Sequence, residues 1–179
     1  MCSSDLTIRW HPPPSPFLKL NMDGSALGNP RLAGVGGVLR DHWSRWISSF
    51  SLHVGLATNN LAELAAVRRG LEMAWDKGTK HLQLELDFKV VLTWLTNPCV
   101  NYPTNMLPLI CDCKNLLTLE WEVHVQHVYR EVNGCTDALA KRGTRQRSDL
   151  RDCFAFLKSY CTKKIKNKYQ SNISTHVHR

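Results

Sequence analysis

Residues 20–37 read LNMDGSALGNPRLAGVGG, and the role of Asp23 within them decides how the chain folds. An Asp-Gly pair between alternating apolar residues is a strong hairpin-turn signal. A strand can also use such an Asp to present a carboxylate to a metal ion. Leu18, Leu20 and Met22 alternate with Lys19, Asn21 and Asp23, the period of a half-buried strand. The next strand-like run, GVGGVL, begins only at Gly34. A two-residue hairpin at Asp23-Gly24 would need it at once. The reversal is therefore expected within residues 28–32, with Asp23 on the first strand.

Working outward, WISSFSL at residues 46–52 extends this start into an antiparallel meander of three strands. Then the period changes. Leu64, Val67, Leu71, Ala74 and Trp75 recur at spacings of three and four, which predicts an amphipathic helix from about residue 60 to 77. Gly78 stops it. HLQLEL at 81–86 alternates as a strand, residues 88–95 show helical spacing, and Asn97-Pro98 ends that segment. A helix over 104–117, a strand over 121–128 and a last helix after Asn133 complete the order. Strands alternating with helices after a meander imply an α/β protein whose mixed sheet is covered on both faces. HPPPSP at 11–16 reads as a stiff extended arm. The expected organisation is an arm over 1–16, a domain over 17–145 and a basic tail over 146–179, helical in part.

With 179 residues, 43% of them hydrophobic, and six Trp, the chain can bury one full core. No run approaches the roughly 18 apolar residues of a membrane span, and no signal-peptide pattern opens the chain. The seven Cys form no CxxC pair, so reduced thiols in an intracellular protein, nuclear or cytoplasmic, are expected. The net charge of +8 is uneven: residues 1–140 hold 12 basic and 13 acidic side chains, residues 141–179 hold 11 and 2. Such a tail suits nucleic acid or an anionic surface, or is simply solvated.

Four acidic residues fall at element ends: Asp23, Glu63, Asp87 and Asp137. Each has a structural use. Asp23 could open a turn, Glu63 could complete a capping box with Asn60, Asp87 could cap the next helix, and Asp137 could offset a helix dipole. Gathered at one sheet edge without cations they would repel one another. Gathered around hard divalent ions they make sense as oxygen ligands. Two such ions can activate a water and stabilise the leaving oxygen of a phosphodiester.

At these residues the chain resembles the type I ribonuclease H domain. MDGSALGNP at 22–30, TNNLAE at 58–63, LELD at 84–87 and NGCTDALAK at 133–141 follow the order of that family's motifs. W-x-P-P-P before the first strand is similar to ribonuclease H domains of plant non-LTR retrotransposon polyproteins. The resemblance implies a three-layer α/β/α fold on a five-stranded mixed sheet, the three-strand meander plus two parallel strands. It implies an endonuclease that cuts the RNA strand of an RNA–DNA hybrid, with Asp23, Glu63, Asp87 and Asp137 holding two Mg²⁺ ions, for which Mn²⁺ may substitute. Gly28, Asn29, Asn60 and Asn133 match positions that contact nucleic acid, Asn133 having a plain helix cap as its alternative. A monomer, once fused to a reverse transcriptase, is expected. The other reading is a catalytically weak nucleic-acid-binding relic on the same fold.

The chain departs from the family's pattern in places. Arg31 stands where Gly is usual, and Phe88 where Ser is frequent. No His clearly matches the mobile His of many members; Arg130 occupies a comparable place, and His127 is a weaker candidate. Residues 98–119 are too short and too poor in Lys and Arg for the basic handle of some members. Lys158, Lys163, Lys164, Lys166 and Lys168, interleaved with Tyr160 and Tyr169, form a basic-aromatic mix suited to phosphates and bases. Removing residues 162–179 is expected to weaken hybrid binding and flatten its salt dependence; an unchanged salt slope overturns that role.

Overall fold

The computed structural model describes residues 9–146 and the backbone of 150–151. The basic-aromatic residues of the tail lie outside them. Strands β1 (Leu18–Ala26), β2 (Arg31–Arg40) and β3 (Trp46–Ala57) form the antiparallel meander. Helix α1 (Asn59–Asp76) leads to β4 (His81–Leu86), then α2 (Lys89–Thr96), α3 (Leu107–Leu117), β5 (Glu122–His127) and α4 (Gly134–Gly143). β4 joins β1 in parallel and β5 joins β4 in parallel. The sheet order is β5-β4-β1-β2-β3, with a two-residue sixth strand, β6 (Leu150–Arg151), added outside β3. The five expected strands are present; a two-residue edge pairing carries no periodicity that a sequence could reveal.

The reversal between β1 and β2 occupies residues 27–30, closed by Leu27 N–H donating to Leu32 O at 3.0 Å. Asp23 thus lies inside β1, opposite Gly36 of β2. At the other end, the Asp41 carboxylate accepts from the N–H groups of Trp43 and Arg45 at 2.9 and 2.8 Å and folds the β2–β3 turn. β3 runs five residues beyond its expected end, through Gly55 at φ +78°.

α1 starts earlier than its apolar period suggests. Thr58 is the cap, its Oγ1 accepting from Leu61 N at 3.3 Å, so Glu63 is not the partner of an Asn60 capping box. Leu64, Val67, Leu71 and Ala74 are fully buried against Leu20 and Met22, and Gly78, at φ +72°, ends the helix. Helices α1, α2 and α3 share this main core; α4 lies against β1, β2 and β3.

Two glycines let α4 lie close to the sheet. A Cβ on Gly34 would stand 2.3 Å from Thr144 N, and one on Gly36 2.4 Å from the Leu139 Cβ. Ser51 Oγ donates to Leu139 O at 2.8 Å, fixing the same contact. No described helix is long and apolar enough to cross a membrane.

Gly36→Ala forces α4 off the sheet. It is expected to lower unfolding free energy by about 1–3 kcal/mol, the usual cost of overpacking, measured by urea denaturation. Equal stability would mean that the close approach is not required.

Candidate active site

Three carboxylates meet where β1, β4 and α1 converge. Asp23 comes from the middle of β1, Asp87 directly follows β4, and Glu63 sits in the second turn of α1. Oxygen atoms of the three lie within 4.8 Å of one another. Gly24 makes this possible: a Cβ there would stand 2.4 Å from both Ala62 C and Glu63 N, so only Gly lets α1 dock so near β1. Its N–H donates to Glu63 Oε2 at 3.1 Å. The Asp-Gly pair is a carboxylate inside a strand followed by a contact glycine, not a turn.

The arrangement is electrostatically strained without a cation. Burial, then the charges of Asp87 and Asp137, push Asp23 up to about 7, against relief from Arg130 and from its hydrogen bond with Glu63. Burial and the Asp23 and Asp87 charges push Glu63 up to about 9, although the Gly24 N–H favours its ionised form. Asp87 is also raised by burial, moderated by the Asn133 amide, Arg130 and His127. Asp23 is only 2% exposed, and its Oδ2 is buried with no hydrogen-bond donor. A buried acceptor among like charges and without a donor suits an oxygen-ligated hard cation such as Mg²⁺.

Asp137 is placed differently from the other three. It borders the cluster and its charge reaches Asp23, but it is outside the group whose oxygens converge. Lys141, one turn on, donates to its Oδ2 at 2.8 Å, and Arg130 stands 3.7 Å from its Oδ1. Lys141 thus satisfies one oxygen, while Oδ1 is buried with no hydrogen-bond partner, as Asp23 Oδ2 is.

A cleft of about 360 Å³ opens over the cluster, with Asn59, Phe88, Arg130 and Lys141 on its walls. Asn59 lines it rather than Asn60, and the Asn59 N–H donates to Asn29 Oδ1 at 3.3 Å. Gly28 and Asn29 lie in the adjoining β1–β2 turn, where the Arg31 stem packs against Gly28. Asn133 is 1% exposed and turned inward, its amide donating to Met22 O at 2.8 Å and its Oδ1 accepting from Thr136. It ties α4 to β1 rather than offering a surface contact. Asn59 and Lys141 were missed by the sequence reading. Only the i,i+4 relation of Lys141 to Asp137 could have signalled the latter.

This sheet order, with an acidic cluster where the middle of β1, the end of β4 and the start of α1 meet, defines a domain of the ribonuclease H class. The chain belongs to the reverse transcriptase-like family, whose model matches residues 21–143. It is 40% identical over 134 residues to a provisionally named ribonuclease H protein of Arabidopsis thaliana, covering 74% of this chain but 21% of that protein, so it spans about a fifth of that relative. It is 31% identical to a ribonuclease HI of Halobacterium salinarum, covering 76% of this chain and 69% of the relative. The crystal structure of RNase H1 from that archaeon superposes with a TM-score of 0.67 at 30% identity, over 71% of this chain and 96% of that one.

The raised carboxylates set the sign of a pH effect. Between the unfolded carboxylate range near pH 4 and the folded values of about 7 and about 9, the folded state keeps protons that the unfolded chain has lost. Metal-free stability therefore falls as pH rises through this window. In EDTA, Tm is expected to drop from pH 5 to pH 8. Asp23→Asn is expected to raise the pH 8 value by roughly 3–5 °C, as about 1 kcal/mol does in a domain of this size. Calorimetry showing a flat profile would contradict the cluster's strain.

Proposed function

We propose that this domain is a Mg²⁺-dependent endoribonuclease that hydrolyses the RNA strand of RNA–DNA hybrids, leaving 3′-hydroxyl and 5′-phosphate ends. The observation that carries the reading is the buried, donor-less Asp23 Oδ2 inside a group of three carboxylates with converging oxygens. Asp23, Glu63 and Asp87 would hold one divalent ion; Asp137, released by Lys141, would help hold a second. When bound, the ions supply charge for the scissile phosphate and lower the pKa of a coordinated water. The protein contributes the rest. Arg130 and Lys141 stand on the cleft wall with nitrogen donors within reach of a phosphate entering over the carboxylates. Asn29 and Asn59, on the rim, offer amide groups to ribose 2′-hydroxyls, the feature that separates RNA from DNA. Support for the substrate comes from the family and from the ribonuclease HI identity of the archaeal relative.

The test is cleavage of labelled RNA–DNA hybrid, duplex DNA and duplex RNA in Mg²⁺. Only the hybrid should be cut, and Asp23→Asn or Asp87→Asn should slow it by roughly 10²-fold or more, as loss of one group from a preorganised site does. Hybrid binding without cleavage by the wild type would replace this reading with that of an inactive binding domain.

A further inference from the structure

We propose that residues 9–13 form a strap belonging to the catalytic unit, in which Trp10 is a positioning residue for Asp23 and Asp87. This rests on the hybrid-nuclease reading above. On the face that α4 covers over β1–β3, the sheet presents polar side chains from β1, β4 and β5: Lys19, Asn21, Glu85 and Gln126. Instead of facing open water, the first three are at most 5% exposed. The residues that read as an arm leading into the domain lie over them, with Pro13 buried.

The strap is bonded to the network beneath it. Trp10 Nε1 donates to Asn21 Oδ1 at 2.8 Å, and the Asn21 Nδ2 donates to Glu85 Oε2 at 2.7 Å. Lys19 Nζ pairs with Glu85 Oε1 at 2.6 Å and donates to the His11 carbonyl at 2.8 Å. Gln126 Nε2 completes Glu85 Oε1 at 2.8 Å. The Trp10 ring also receives the Arg40 guanidinium, 4.7 Å from its centroid. Both carboxylate oxygens of Glu85 and both polar atoms of the Asn21 side chain are thereby satisfied. A complete buried network is rigid, while one missing a partner is costly and loose.

The position of this network gives it a catalytic consequence. Asn21 and Glu85 are register partners in the parallel β1–β4 pair, and theirs is the last rung of that ladder. Two residues further along each strand stand Asp23 and Asp87. Beyond the rung, Asn133 reaches Met22 O and Asp87 from α4, while the carboxylates of Asp23 and Asp87 repel one another. The Asn21–Glu85 hydrogen bond sets the spacing at which the two ligands are delivered, and Trp10 holds Asn21 in the orientation that makes it. Without the indole, Asn21 Oδ1 loses its donor and water gains access to the Lys19–Glu85 pair.

The experiment uses the full chain with Trp10→Ala and Trp10→Phe, the latter keeping a ring but losing the N–H. Two quantities are read: the Mg²⁺ midpoint of the thermal shift without substrate, and kcat and KM on hybrid well below Tm. Both variants are expected to raise the Mg²⁺ midpoint and lower kcat by about threefold, less than the roughly 10–100-fold of a group bonded directly to a metal ligand because Trp10 acts through Asn21, with KM little changed. Should Trp10→Ala fail to fold, Trp10→Phe alone decides. A lowered Tm with unchanged Mg²⁺ midpoint and kcat would make the strap structural only and overturn the inference. A wild type with neither Mg²⁺ stabilisation nor cleavage overturns the nuclease reading and this one together. A wild type with both, matched by its variants, overturns only this one.

Discussion

Three carboxylates that repel one another are held together here by packing that none of them contributes to. Asp23 is carried by a strand whose other face, Leu20 and Met22, lies in the core against Leu64 and Leu71. Glu63 is brought in because Gly24 offers no Cβ to α1. Asp87 arrives on a strand locked in parallel register with β1. The apolar core and the sheet ladder set the positions, and the cost appears as raised carboxyl pKa values. Strain stored in this way is relieved by protons at low pH and, once the carboxyls ionise, by a cation, because the buried Asp23 Oδ2 has no donor to turn to.

Much of the fold was legible because each main element has its own period. β1 and β4 alternate cleanly, and the buried stripe of α1 repeats every three or four residues. What escaped were features with no periodic signal. β3 continues past Leu52 only by placing Gly55 in the left-handed region, and β6 is too short to show a pattern. The start of α1 at Asn59 rather than Asn60 moves a different amide into the cleft, a one-residue shift with chemical consequences. Asp23, Glu63 and Asp87 were legible as candidates from their places near strand ends and a helix start, but as one site only through the resemblance of the motifs around them. The strap was not legible: the proline run after Trp10-His11 reads locally as a stiff extended arm, and the hydrogen bond of Trp10 to Asn21 is a fact of tertiary structure alone.

Asp137 shows the limit of reading ligands from residue type. Its place in the first turn of α4 suits a negative charge whether or not a metal is near. Lys141 and Arg130 then supply the compensation that a second ion would otherwise give. The cleft therefore carries its own partial answer to its charge, on the wall that a phosphate would approach.

The contrast between neighbouring residues on one face of β1 separates structure from function. Lys19, Asn21 and Asp23 alternate with the core residues and are all buried. The side-chain polar groups of Lys19 and Asn21 meet partners on β4 and in the strap, as a folded protein demands of buried polar groups. Asp23, two residues on, has an oxygen that no protein donor reaches. Three consecutive positions on one face thus pass from a satisfied ion pair, through a satisfied amide, to a carboxylate left open. A strand that could have closed its polar network at Asp23 stops one residue pair short, and leaves there a buried acceptor among like charges.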